Sequence, residues 1–155
     1  MFTIRRAIIT DAAALRDTHD AAARGTLLRD YPADLIEYFI AANPFPERYR
    51  YMLEHDWCYL AEDGETPIGM AVAMPGRIRM LYVLPAHQGR GVGAALLATA
   101  EADAGAGVSE ITLHATLTAR GFYSHHGYVT IEEGAFAFPD KRQFAYVKMR
   151  KQGSG

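Results

Sequence analysis

Apolar residues recur along this chain with two different periods, and the change from one to the other divides it. Residues 2–9 are short and β-rich, and Thr10-Asp11 offers an N-cap for a helix running to about Arg24. Leu35, Ile36, Phe39 and Ile40 then fall at helical spacing behind Pro32, which suits a first-turn position, and Asn43-Pro44 ends this second helix. Pro46 opens a third, short helix carrying Tyr49, Met52 and Leu53. From Trp57 the period changes. Trp57-Cys58-Tyr59-Leu60-Ala61 is a continuous apolar run of strand length, Asp63-Gly64 signals a hairpin turn, and residues 68–74 form the next strand. Pro75-Gly76 matches the centre of a type II turn, and residues 77–84 follow as the fourth strand. Strands two to four should therefore form an antiparallel meander.

The fourth strand feeds a glycine-rich turn and an alanine-rich helix from about Gly89 to Ala104, with stop signals at Gly105 and Gly107. Ile111-Thr112-Leu113-His114 comes next. A strand, a crossover helix and another strand make a right-handed βαβ unit, so strands four and five should be parallel and the sheet mixed. Residues 118–126 predict a short helix ended by Gly127, 128–132 a sixth strand, and 133–143 a loop containing Gly134, Pro139 and Asp140. Alternation through Phe144, Tyr146 and Lys148 gives the seventh strand. The fold class is α/β: a mixed seven-stranded sheet flanked by helices, one domain over residues 1–152, with 153–155 set aside as a linker or expression remnant.

Composition narrows the chemistry. Half of the 155 residues are hydrophobic and the net charge is only −2, which excludes a disordered chain and gives no polyanion-binding surface, so nucleic acid is not an expected partner. Cys58 is the only cysteine, which excludes an internal disulfide or a cysteine-rich zinc site and fits a reducing compartment. His125 and His126 are adjacent and neither has a partner at i+4, so no metal is expected. No run approaches the roughly 18 apolar residues of a membrane span. The expectation is a cytoplasmic protein without a membrane partner.

The junction Leu81-Tyr82-Val83-Leu84-Pro85-Ala86-His87-Gln88-Gly89-Arg90-Gly91-Val92-Gly93-Ala94 carries the chemistry. Glycines at a helix N-terminus expose unpaired N–H groups beside the positive end of the helix dipole, which makes an anion site. A Walker loop is absent, since no lysine and hydroxyl follow the glycines. Gly89-Arg90-Gly91-Val92-Gly93-Ala94 formally fits a dinucleotide fingerprint, but His114-Ala115-Thr116 stands where the ribose-binding acid should end the next strand, and too little chain follows for a second half-domain.

Gln88-Gly89-Arg90-Gly91-Val92-Gly93-Ala94 closely resembles the acyl-CoA pyrophosphate loop, Gln/Arg-x-x-Gly-x-Gly/Ala, of the GCN5-related N-acetyltransferases (GNAT family). Ala119-Arg120-Gly121-Phe122-Tyr123-Ser124-His125-His126-Gly127-Tyr128 resembles that family's Ala-x-x-Phe-Tyr-x-x-x-Gly-Phe/Tyr segment. The element order agrees along nearly the whole chain. The resemblance implies a GNAT-like sheet whose βαβ core binds acyl-CoA and whose strands four and five splay apart after a bulge.

It also implies roles. The amides of Gln88, Gly89, Arg90, Gly91, Val92, Gly93 and Ala94 would wrap the pyrophosphate of acetyl-CoA, with the Gln88 and Arg90 side chains as further donors. Leu81, Tyr82 and Val83 would pair with pantetheine as an added strand, the Val83 N–H pointing to the thioester carbonyl, and Ala119 would adjoin the cofactor. Tyr123 is the expected general acid toward departing CoA, and Phe122 a core residue. Relatives often place a glutamate base on strand four, but this strand carries Arg77 and Arg79, and no acid occurs between Glu65 and Glu101. His114 is the alternative base, or a hydrogen-bonding residue. Asp30, Tyr31, Glu37, Tyr38, Glu132, Glu133 and Asp140 would form an acidic, aromatic mouth for a cationic amine of a small molecule or peptide, unless they are ordinary solvated charge. The expected reaction is direct N-acetylation in a ternary complex; the other reading is a non-catalytic acyl-CoA sensor or scaffold. A homodimer is an arrangement the resemblance allows.

Overall fold

The structure, a computed structural model, describes residues 1–153. Strand β1 (Thr3–Arg6) leads into α1 (Ala12–Thr26), followed by α2 (Ala33–Ala41) and α3 (Glu47–His55). Helix α1 runs two residues past the expected end. The Asp11 carboxylate does not cap it, accepting instead from the Ile8 N–H at 2.8 Å and from Arg5. The chain then enters the meander β2 (Trp57–Asp63), β3 (Thr66–Met74) and β4 (Arg77–Val83), crosses through α4 (Val92–Ala104) to β5 (Glu110–Thr116), and passes α5 (Arg120–His125) to the hairpin β6 (Val129–Ala137) and β7 (Gln143–Gln152). The sheet order is β1-β2-β3-β4-β5-β7-β6.

Alternation along the strands sends side chains to two separate cores. On one face Leu96, Leu97 and Ala100 of α4 bury against Ile78, Leu113 and Val147. On the other, Leu15, Tyr49 and Met52 of α1 and α3 cover Leu60, Met70 and Val72. A third cluster joins Leu35 and Ile36 of α2 to Phe144 of β7. Each fully buried large apolar side chain contributes about 1.5–3 kcal/mol relative to exposure.

The sheet opens in one place. Strands β4 and β5 are parallel and pair only at Arg77 and Thr112, after which they separate. The β3–β4 register jumps from Met80 opposite Val72 to Ile78 opposite Ala73, so Arg79 is a bulged residue that bends β4 away from its neighbour.

The segment expected to be a loop over residues 133–143 is mostly strand. β6 continues to Ala137, with Phe136 opposite Phe144 and Gly134 opposite Tyr146. Gly134 reads as a turn signal in one dimension, yet here the Tyr146 ring lies over it: a Cβ would stand 2.7 Å from Tyr146. Helix α4 starts at Val92, because Gly91 is left-handed at φ 82°, and α5 starts at Arg120. The Gly153 N–H donates to Ser109 O at 2.9 Å, while Ser154 and Gly155 lie outside the described residues. Among the described residues no helix is long and apolar enough to cross a membrane.

Candidate active site

The gap between β4 and β5 has a polar edge. The Leu84 N–H donates to Ile68 O on β3 at 2.9 Å, so by strand alternation the N–H groups of Leu81 and Val83 point away from β3 and into the gap. Beyond Val83 a single 3-10 turn at residues 85–87 carries the chain to Gly89 and Gly91, at φ 79° and 82°, where an added Cβ would meet nothing within 4 Å but would be strained. Val92 is buried in the core and pins the start of α4, and no side chain caps that helix. Its first amides are left facing the glycine turn.

Two side chains of this turn are engaged within the protein. Gln88 donates its amide to Val83 O at 3.1 Å, and Arg90 contacts His87 Nδ1 at 2.7 Å and Asp63 at 3.4 Å. Neither is directed into the glycine turn, so the donors left open there are backbone N–H groups. Arg90 and Val92 stand outside the cavity wall.

A cavity of about 600 Å³ fills the gap. Its β4 edge is Leu81, Tyr82 and Val83, its turn edge Gln88, Gly89, Gly91, Gly93 and Ala94, and its far wall His114, Ala119 and Tyr123. Residues far apart in sequence thus meet in one chamber. Phe122, expected to be core only, also faces it, packed at 3.3 Å from where a Cβ on Gly93 would lie. Thr26, Leu27 and Arg29 close the chamber from the α1–α2 segment, and Arg79, Thr118 and His125 complete it. No spacing rule marks these; only the loop's position in three dimensions brings them in.

Tyr123 is 5 % exposed, edge-on to Phe122 and Tyr128, and its hydroxyl is bonded to no described residue. Burial, reinforced by the Glu101 charge, raises its pKa well above 10, so the phenol stays protonated. His114 stacks on Tyr146 at 4.5 Å, and its Nδ1 is buried without a partner among the described residues. Burial first, then the charges of Arg77 and Lys148, lower its pKa, opposed by Glu132, so the ring is neutral at pH 7.

The expected acceptor residues are placed differently. Tyr31 is buried: its hydroxyl donates to Ala145 O at 2.6 Å and accepts the Leu117 N–H at 2.8 Å, while its ring stacks on Phe144 at 4.1 Å. Glu37 forms a two-point pair with Arg24 at 2.8 and 2.9 Å. Glu132 sits opposite Lys148 on β6, outside the cavity wall. Asp34 and Asp140 both bind Arg142, and Asp30 accepts from the Thr118 hydroxyl.

A family model described as an acetyltransferase (GNAT) domain matches residues 27–152. The chain belongs to the GNAT acetyltransferase family. Its fold superposes on a GCN5-related N-acetyltransferase from Rhodopseudomonas palustris with a TM-score of 0.90 at 27 % identity, covering 97 % of this chain and 94 % of that one. The PaiA N-acetyltransferase from Thermoplasma acidophilum, solved in complex with coenzyme A, gives 0.78 at 19 % identity over 98 % and 99 % of the two chains. YncA of Salmonella typhimurium, solved with its cofactor acetyl-CoA, gives 0.64 at 20 % identity over 98 % and 94 %. No curated protein matches. The GNAT cofactor fits the residues present: two strand N–H groups face the gap, and the glycine turn leaves open space beside the uncapped amides of α4.

Proposed function

We propose that this GNAT protein transfers an acetyl group from acetyl-CoA to a primary amine of a small molecule or peptide, by direct attack within a ternary complex. The observation that carries this is the single cavity in which a protonated Tyr123 and a neutral His114 face the free edge of β4. Bound acetyl-CoA supplies an activated acetyl thioester. The glycine turn and the amides of Val92, Gly93 and Ala94 bind its pyrophosphate, and Leu81 and Val83 hold its amide chain, with the Val83 N–H directed to the thioester carbonyl.

His114 accepts the proton that the attacking amine must lose, through the ring nitrogen not buried against the sheet; the low pKa keeps that nitrogen free at neutral pH. Tyr123 donates its phenolic proton toward the departing sulfur, which restores a thiol in step with bond cleavage. No acid on β4 competes for the base role, because Arg79 there is paired with Asp56 at 3.2 Å and Arg77 is cationic. Leu27, Met80 and Phe122 line the chamber and limit water around the reacting groups.

The test is a panel of primary amines with acetyl-CoA, following free thiol. Transfer to at least one class of amine is expected; acetyl-CoA binding with no transfer to any amine would instead make the chain an acyl-CoA sensor.

A further inference from the structure

The sheet divides the chamber into two sides. Leu113 and Ala115 of β5 turn into the α4 core, so His114 between them projects from the opposite face. On β4, Tyr82 stands opposite Met70 of β3 and packs with it in the cluster under α1, on the same face as His114. Phe122 and Tyr123 belong to the α4 side. The proposed acid thus lies on one side of the gap, and the proposed base and Tyr82 on the other. Counted from the Arg77–Thr112 pair, with the bulged Arg79 discounted, Tyr82 lies about two residues, roughly 7 Å, further along the gap than His114.

The mechanism above leaves the Tyr82 side chain unused. Its ring is held in place: the fully buried His19 meets it edge-on at 4.6 Å, Phe39 stacks on His19 at 5.9 Å, and Asp20 binds the His19 Nδ1 at 2.9 Å. The hydroxyl is not engaged. Tyr82 lines the cavity, and its oxygen has no hydrogen-bond partner among the described residues. Burial first, then Tyr123, Tyr31 and Tyr49, raise its pKa, so it stays a neutral phenol. Tyr123 and the Tyr31 hydroxyl at the Leu117 N–H both lie across the gap, which places the Tyr82 oxygen over the chamber. A desolvated hydroxyl without a partner is costly until a ligand supplies one.

We propose, resting on the acetyltransferase reading above, that the Tyr82 hydroxyl is a second hydrogen-bond acceptor for the attacking amine and makes the site selective for primary amines. A neutral primary amine has two N–H groups. One points to His114 and the other to the Tyr82 oxygen, which leaves the nitrogen lone pair facing the acetyl carbon from the side opposite Tyr123. The nitrogen–carbon bond forms and the carbon–sulfur bond breaks; the first N–H gives its proton to His114, Tyr123 gives its proton to the sulfur, and Tyr82 keeps its own. His114 then loses its proton to water and Tyr123 regains one, which closes the cycle. A secondary amine has a single N–H and leaves one acceptor unpaired.

The turnover test takes the best primary amine of the panel and its N-methyl derivative. Tyr82→Phe should lower kcat/KM for the primary amine about tenfold or more and shrink its advantage over the N-methyl derivative about fivefold, with retained CoA affinity as the check on folding. A second arm does not depend on turnover: calorimetry of S-carboxamidomethyl-CoA and S-acetonyl-CoA, which differ only in carrying NH2 or CH3 where the amine nitrogen would stand. Tyr82→Phe should reduce the affinity of the amide relative to the ketone about fivefold.

An amide-to-ketone ratio unmoved by Tyr82→Phe, or an equal loss with primary and N-methyl amines, would overturn the proposal. Acetyl transfer that persists with such a result would remove the Tyr82 hydrogen bond and leave the enzymatic function standing. A Tyr82-dependent affinity ratio without thiol release from any amine would do the reverse.

Discussion

Tyr123 and His114 face the same cavity in opposite protonation states, and burial is the first cause of both. Desolvation disfavours the charged form of each, which for a phenol means keeping its proton and for an imidazole means losing it. The His114 pKa lies below its ordinary 6.5, so kcat/KM should hold constant down through neutral pH and fall only as pH drops through that lowered value. The groups facing the ring set where this happens. Arg77→Met or Lys148→Met should move the acid limb of a pH–rate profile upward, and Glu132→Gln should move it further down; a profile that ignores all three would exclude His114 as the base. Tyr123→Phe should lower kcat by about 10²–10⁴-fold while leaving CoA affinity, measured by calorimetry, near the parent value. Tyr123 was legible in sequence because it sits inside a ten-residue motif. The pairing of Asp34 with Arg142 was not, because it joins residues 108 apart along the chain, and composition alone cannot tell a free carboxylate from a neutralised one.

At the scale of elements, β4, the glycine turn and α4 form a strand-turn-helix unit whose geometry follows from its own sequence. Gly89 and Gly91 adopt φ values that side chains resist, and Val92 anchors the helix start in the core. Gly91→Ala should cost about 1 kcal/mol of stability through backbone strain alone, because its Cβ would meet no neighbour. Gly91→Glu adds a negative charge at the proposed phosphate turn and should abolish retention on immobilised CoA. Retention equal to the parent protein would place the pyrophosphate elsewhere. The β6–β7 hairpin shows the opposite case. Gly134, Pro139 and Asp140 read locally as a loop, yet β6 extends to Ala137 because β7 supplies ladder partners and the Tyr146 ring covers Gly134. That same ring stacks on His114, and Phe136 of the extended β6 lies 6.2 Å from the imidazole and 4.6 Å from Tyr146, so the segment that reads as a loop helps fix the orientation of the proposed base.

At the scale of the whole molecule, the chamber exists because the N-terminal helices close over a sheet built from the rest of the chain. Tyr31 ties these parts together, bonding Ala145 on β7 and Leu117 after β5 while packing on Phe144. Tyr31→Phe leaves the part-buried Ala145 carbonyl and Leu117 N–H short of a partner, so denaturant unfolding should show a loss of about 1–3 kcal/mol. A change within a few tenths of a kcal/mol would mean that the α1–α2 segment is held by packing alone. Sequence by itself determined the element order, the parallel β4–β5 unit and the glycine turn between β4 and α4, and it singled out Tyr123 for the proposed site, because these depend on local periodicity, backbone conformation and short spacings. Only the tertiary structure decided which acids stay free, that Tyr31 is a strut, and that Arg29, Arg79 and His114 come to the same chamber. Charge neutralisation and burial depend on which residues meet in space, and the chain's linear order does not record those meetings.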